Sequence, residues 1–362
     1  MSSVSPPLSV GRAHAPSPHA EAVRAAVGVA SRAPSIHNTQ PWHWHLTEDV
    51  LDLRADLSRQ LDVADPDGHS LLISCGAATQ LTQIALAAQG WIFDTSLMPE
   101  STDPDLLARF RLLSLGEPDR EAQQQSVAAG SRRSDRRVYG PAPVAAQVIE
   151  RLRGAAEAEA VYAHFPVRED ESLDLAVAIS RADRSERDDP AYAAEMAAWV
   201  RSDSRSPDGV PTSVIPAVPE GRPRHTDVPL RDFELGIPGS QLITPDTDER
   251  PLIAVIFTEG DDSRERLRAG QSMMRLMIQA ELEGVASCPL SQSVDLLSFR
   301  SQLRTLMSWT GYPQMMLRLG QKPDSAAAPL TARRAIEDVL SISPDHRPST
   351  DGRLALPREV WR

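Results

Sequence analysis

Apolar positions give the first outline of the chain. Ala22, Val23, Ala26, Val27 and Ala30 recur with helical period and predict a helix from about His19 to Ser31. Ala33 precedes Pro34, and the residue before a proline is biased away from helical backbone, so the helix stops there. A polar loop runs from Pro34 to Pro41. Trp42, Trp44 and Leu46 then alternate with polar residues, a turn falls near Thr47–Asp49, and Leu51 and Leu53 continue, which predicts a hairpin. Gly76 to Gly90 brackets a long, mostly apolar helix closed by glycine, as C-terminal capping favours. A strand over Arg109–Leu115 follows. Farther on, the pattern predicts a helix over Ser172–Val200 and a strand over Leu252–Phe257.

Part of this layout recurs. Gly270 to Gly284 repeats the glycine-to-glycine spacing of Gly76 to Gly90, with Ile278 at the offset of Ile84. The strand Gln314–Leu319 ends Leu319, Gly320, Pro323, Asp324, echoing Leu115, Gly116, Pro118, Asp119. Helix-closing glycines are common, but the two matched strand ends make a duplicated unit the better explanation. The copies are large and only two, which points to a fused pair rather than a solenoid. They are also unequal. About fifty residues rich in proline (Pro207, Pro211, Pro216, Pro219, Pro223, Pro229, Pro238, Pro245) separate the helix Ser172–Val200 from the strand Leu252–Phe257. Scattered apolar residues such as Val210, Val214, Ile215, Phe233 and Leu235 favour a docked cover over a plain linker. The expected division is a disordered tail 1–18, a first half 19–118, a second half 119–342 with the insert 202–250, and a C-terminal tail 343–362.

Composition narrows the function classes. A net charge of −12 argues against nucleic acid or an anionic membrane as the main partner. Lys322 is the one lysine beside many arginines, so an isolated Arg pair carries little weight here. Cys75 and Cys288 sit among apolar or small residues and read as small buried hydrophobes. The Ser/Pro-rich start lacks the apolar core of a signal peptide, and no apolar run approaches bilayer length, so a cytoplasmic location is expected. His43 and His45 share a strand face but lack a third ligand at matching spacing, so no metal is expected. Glu259, Asp261 and Asp262 read as a turn and helix N-terminus.

Two segments could carry chemistry. The loop Ala33–Trp42 is stiffened by Pro34 and Pro41 and could present Ser35 and Asn38 to a flat polar ligand. The run Arg132–Arg137 lies between helical segments. Arg132, Ser134 and Arg136 there supply the forked donors and hydroxyl that a phosphate dianion needs, although a solvated charge run would look similar.

Together these segments resemble the nitroreductase family of FMN oxidoreductases. The first is similar to that family's Pro-Ser-x-x-Asn-x-Gln-Pro-Trp loop, and the second to its Arg-Arg-Ser-x-Arg-x-Phe signature, with Tyr139 at the Phe position. In ordinary members the Arg motif precedes the Asn loop, and each FMN lies between two subunits. Here the order is reversed and each motif occurs once, so a single site would form across an internal interface. That arrangement resembles the Acg subfamily of actinobacterial nitroreductases, fused pseudo-dimers with a lid over one flavin. The resemblance covers roughly His19 to Leu340. It implies an α+β (α/β) three-layer fold made of two fused unequal half-copies, and a monomer. It implies that Ser35 and Asn38 touch the ring and ribityl chain, that Arg132 and Ser134 hold the phosphate, and that Arg136 lies near the ring edge where reduction places charge. Cys288–Gln292 matches the segment facing N5, with Ser291 and Gln292 where an acid is usual. Arg333 and Arg334 correspond to a basic pair completing the phosphate cradle. The implied activity is two-electron ping-pong transfer from NAD(P)H through FMN to a nitro or quinone acceptor; the alternative is a lidded FMN-holding protein without turnover.

Overall fold

The fold comes from a computed structural model, which describes residues 18–158, 160–166, 168–215, 249, 251–307, 310–323 and 328–343. Helix α1 (Pro18–Ala30) leads into the hairpin β1 (Trp42–Thr47) and β2 (Val50–Ala55), the long helix α2 (His69–Ala88), and a second hairpin, β3 (Trp91–Leu97) and β4 (Leu106–Leu115). Next come α3 (Arg120–Ser131), α4 (Ala146–Ala156), β5 (Val161–His164), α5 (Glu169–Arg187), α6 (Pro190–Trp199) and the short pair β6 (Val200–Arg201) and β7 (Val210–Pro211). The last stretch holds β8 (Leu252–Thr258), α7 (Ser263–Leu282), β9 (Val285–Leu290), the short α8 (Gln292–Asp295), α9 (Leu297–Leu306), β10 (Tyr312–Gln321), α10 (Ile336–Val339) and β11 (Leu340–Ile342). One sheet has the order β11-β1-β2-β4-β3, and a second has the order β5-β8-β10-β9. The fold is α+β, as expected.

At the centre, α2 and α7 pack directly on each other. A methyl on Gly76 would stand 2.1 Å from the Leu267 carbonyl oxygen, and one on Gly270 would stand 2.1 Å from that of Ile73. The contact is reciprocal: the glycine of each helix meets the backbone one turn before the glycine of the other. α2 is long and apolar enough to cross a membrane by length and composition, contrary to the sequence reading, but it lies mostly inside the protein. Three of its buried hydroxyls are satisfied locally. Ser74, Thr79 and Thr82 donate to carbonyls four residues back, which lets a helix with polar residues all round be buried.

Most predicted elements appear, with two differences. The helix expected over Ser172–Val200 is two helices. Asp189 accepts N–H bonds from Ala191 and Tyr192, and Pro190 opens α6, so an Asp-Pro cap restarts the helix. The C-terminal arm was not predicted to join the first sheet, yet β11 pairs parallel to β1, Trp44 opposite Leu340. This crossing carries residues 331–334 back to the N-terminal loop. His43 and His45 face the same strand, and each ring accepts or donates a bond with the Ser341 hydroxyl. Cys75 is a free core thiol and Cys288 is free and buried on β9. Asp262 caps α7 in a reciprocal capping box with Glu265.

Candidate functional site

The loop after α1 is the most strained backbone near any cleft. His37, Asn38 and Gln40 have φ of 45°, 57° and 52°. Left-handed backbone costs a non-glycine residue on the order of 1–3 kcal/mol, so the surroundings must hold this bend. They do so from four sides. The Ser35 hydroxyl accepts the Gln40 N–H at 3.0 Å, and the Ser74 hydroxyl accepts the Ile36 N–H at 3.2 Å. The Gln40 amide donates to the Pro207 carbonyl at 2.7 Å, and its oxygen accepts the Arg334 N–H at 2.8 Å.

This bend forms one wall of a continuous cleft with two compartments that share Pro34, Ser35, Ser134 and Arg136. The first is lined by Ser70 and Ser74 of α2 and by Cys288 to Gln292 at the end of β9. The second is lined by Arg32, Asn38, Arg132, Arg133 and Arg333. The Arg-rich loop after α3 reaches the cleft because it is stitched to β9: Ser134 bridges Ser287, and the Asp135 N–H donates to the Ser287 carbonyl at 2.9 Å. Ser35 and Arg132, far apart in sequence, therefore meet around one cavity.

Five guanidiniums, those of Arg32, Arg132, Arg133, Arg136 and Arg333, line the second compartment, with no acid among its lining residues. Arg132 is 5% exposed; it donates one bond to the Arg32 carbonyl, while its Nε and a terminal nitrogen are buried with no partner. Arg333 donates to the carbonyls of Ser31, Arg32, Ala33, Thr331 and Ala332. Burial, with the charge of Arg133, pushes Arg132 down to about 10. Burial, with Arg132, Arg32 and Arg133, pushes Arg333 down to about 9. Crowded, desolvated cations with orphaned donors form a site for a dianion, whose arrival restores the missing partners.

A strap roofs this compartment. Gly209, Val210, Pro211 and Val214 line it from above. Asp208 bonds Arg59 at 2.5 Å and Arg201 at 3.1 Å, and Val210, Val214 and Ile215 bury against Leu61, Ala64, Tyr192 and Met196. The strap is the first part of the predicted insert; 216–248 and 250 lie outside the described residues.

The predicted site residues sort as follows. Ser35, Asn38, Arg132, Ser134, Arg136, Ser291, Gln292 and Arg333 all line the cleft. Asn38 spends its amide donors on the Gly209 and Ala332 carbonyls, so it fastens strap and arm to the bend. Gln292 is 1% exposed and its amide nitrogen has no partner. Arg334 is not among the lining residues. Neighbouring side chains of the arm face opposite ways, and Arg334 bonds the Gln40 carbonyl, Asp56 and the Asp338 carbonyl instead. It anchors the strained bend from behind. Sequence reasoning missed Arg32, Ser70 and Ser74; Arg32 lies just before the loop, and only its closeness to Pro34 hinted at a role.

No protein-family model matches the chain. Individual proteins do. The chain is 33% identical over 327 residues to the Mycobacterium tuberculosis protein named "Putative NAD(P)H nitroreductase Rv3131", covering 89% of this chain and 92% of that one. It is 27% identical over 337 residues to the "Putative NAD(P)H nitroreductase acg" of the same organism, covering 90% and 98%. The FMN-dependent nitroreductase NfnB of Mycobacterium smegmatis, solved with NADPH, aligns at a TM-score of 0.38 and 17% identity, over 62% of this chain and 100% of that one. At that level of identity and coverage to the first of these relatives, the chain belongs to the nitroreductase family, in the group that includes these mycobacterial proteins.

Proposed function

We propose that the chain binds one FMN in this cleft and is an oxidoreductase that passes two electrons from NAD(P)H to a nitro or quinone acceptor. The observation that carries the reading is the pair of buried, partnerless donors on Arg132 beside Arg333, Arg32 and Arg133. Arg132, Arg333 and Ser134 are the groups that would hold the phosphate. The orphaned donors and the acid-free lining fit that group. Ser35 and Arg136 line both compartments and would orient the molecule between them. The serine-lined compartment would then receive the ring. When bound, FMN supplies the redox chemistry; the protein supplies position and charge. Donor and acceptor would share the one serine-lined compartment and so alternate in it. The relatives' names support the activity.

We read the two halves, 19–118 and 119–342, as fused unequal copies. The reciprocal Gly76–Gly270 contact supports this, because a contact between identical units has that symmetry. Each ligand motif occurs once, which favours one site and a monomer.

A second reading has an observation of its own. The strap is pinned over the arginine compartment by ion pairs, hydrogen bonds and apolar packing, which suits a protein that holds FMN without turnover. Purified chain should be yellow and release free FMN on denaturation; chain that stays colourless after FMN is added rules out the site. Anaerobic mixing of the yellow protein with NADPH separates the two readings. Bleaching means turnover, and lasting colour means holding.

A further inference from the structure

Once β11 is set aside, the two sheets run in matching order, β1-β2-β4-β3 and β5-β8-β10-β9. Every neighbouring pair in both is antiparallel. The register that sets Gly76 on Gly270 and Gly90 on Gly284 therefore gives the walls of the serine-lined compartment counterparts in the other half. Ser70 and Ser74 of α2 fall on Arg264 and Arg268 of α7. Ser291 and Gln292, just past β9, fall on Leu97 and Met98 at the end of β3. The long loop from α1 to β1, which carries Ser35 and Asn38, corresponds to a short link from α4 to β5. These counterparts meet: Leu97, Met98, Ala158, Arg264 and Arg268 all line one groove of about 610 Å³.

The place in the fold is the same, but the chemistry differs. Arg264, Arg268, Gln271 and Arg275 recur three and four residues apart, so they share one face of α7. At 1.5 Å per residue they run about 16 Å from first to last. Arg275 is fixed by the Ala155 carbonyl at 3.1 Å, the Ala156 carbonyl at 3.3 Å and the Gln80 amide oxygen at 2.9 Å. Burial lowers its pKa. The Gln271 amide donates to Gln83 of α2 at 3.1 Å. No acid and no aromatic ring is among the described lining residues. The end of β3 and the start of β5 add an apolar flank of Leu97, Met98, Pro99 and Val161. Both flavin-type motifs, the loop with Ser35 and Asn38 and the run Arg132–Arg137, occur once in the chain and line the other cleft.

We propose that this groove is the second copy of the serine-lined compartment, converted into a binding site for a small organic anion, whose phosphate or carboxylate head sits on Arg264 and Arg268 and whose apolar body lies against Leu97, Met98 and Val161. Guanidiniums one helical turn apart can fork onto the oxygens of one head. Charge now stands where the first copy has two hydroxyls. A neutral ring gains little from that exchange, whereas an oxyanion gains a charge-assisted bond at each arginine. The conversion rests on reading the halves as fused copies; the arginine face and the groove it lines are independent of that reading.

The test is a proton NMR titration of the full chain saturated with FMN, with phenyl phosphate, benzoate and neutral benzyl alcohol as probes. One or both anions should bind, and benzyl alcohol should bind about tenfold more weakly or worse. The tighter anion identifies the head. Arg264→Gln combined with Arg268→Gln should weaken that anion about tenfold or more while FMN content stays at the wild-type level. Arg205→Gln, which alters a highly exposed arginine elsewhere, should leave it unchanged. If the double variant loses FMN, Arg264→Gln alone, at an exposed position, gives the same comparison. The proposal is overturned if neither anion binds or if benzyl alcohol binds as well. It is overturned too if anion binding survives in the arginine variant, which assigns it to the flavin cleft, or if Arg205→Gln weakens it equally, which assigns it to bulk charge. Chain that takes up no FMN fails the FMN reading alone, and the Arg264→Gln comparison on that chain still decides this one.

Discussion

The two ends of the cleft solve opposite problems. At one end, Arg32, Arg132, Arg133 and Arg333 crowd together with no acid among the lining residues, and burial lowers Arg132 and Arg333. At the other, Asp65 and Asp295 are buried behind Ser70 and Ser291, and burial raises Asp65. At the arginine end like charges repel; at the acid end burial disfavours the charged form of Asp65. A ligand that is doubly negative at one end and a planar hydrogen-bonding ring at the other suits both. The contrast teaches that burial discharges the two ends in opposite senses, lowering the cations at one and raising a carboxyl at the other.

Breaking the arginine end should have the largest effect. Arg132→Met removes a buried charged donor of similar length. It should weaken FMN binding by on the order of a hundredfold, as the loss of one or two bonds to a charged phosphate implies, measured by flavin fluorescence titration. The same variant should melt no lower than wild type without FMN, because one member of a repelling cluster has gone. A variant with unchanged affinity and lowered stability would make Arg132 a packing residue. Next in size is the strap. Asp208→Ala frees Arg59 and Arg201, and FMN release should quicken about five- to tenfold, consistent with the roughly 1–2 kcal/mol such half-buried pairs contribute. Release at the wild-type rate would mean that the apolar contacts of Val210 and Val214 alone hold the roof.

The smallest effect sharpens the acid end. Asp65 has its pKa raised on folding, so between the unfolded value and about pH 8 the folded chain binds the extra proton. That contribution stabilises at low pH and fades as pH rises toward 8. His69 acts in the opposite sense: its folded value is lowered to about 4, so stability grows as pH rises from there to about 6.5. The two oppose below pH 6.5, and Asp65 acts without His69 above it. Chain without FMN should lose stability from pH 6.5 to 8 in thermal melts, and Asp65→Asn should flatten that decline. Parallel curves would show that Asp65 is not the group responsible.

Much of the scaffold was legible because its signals are local. The hairpin of Trp42 to Leu53, the central helices and the broad sheet strands follow from periodicity and glycine closure. Ser35, Arg132 and Ser134 were legible because each sits in a short motif whose residue types suit a phosphate or a flat ring. The break at Asp189–Pro190 was present in the sequence but was overridden by the apolar spacing around it. Other features had no local signal. Arg334 differs from Arg333 only in which way it faces, and that is decided by the crossing of β11 onto β1. Ser70 and Asp295 become neighbours only when α2 and α8 meet, across most of the sequence. The insert was readable as a cover from its apolar residues, but its anchors, Asp208 and Gly209, could not be picked out from the composition.

The reciprocal glycines reach beyond the spot they occupy. Ser70, Ile73 and Ser74 stand within two turns of Gly76, and Met273 stands one turn from Gly270, so both helices that wall the cleft are gauged against each other at that crossing. An alanine at either position would force carbonyl and methyl apart and tilt one sheet against the other. The gap between the walls would then widen by leverage, at a distance from the wedge. Cleft width is thus governed from a pivot that no ligand touches, and a lesion there would loosen grip while leaving every contacting residue intact.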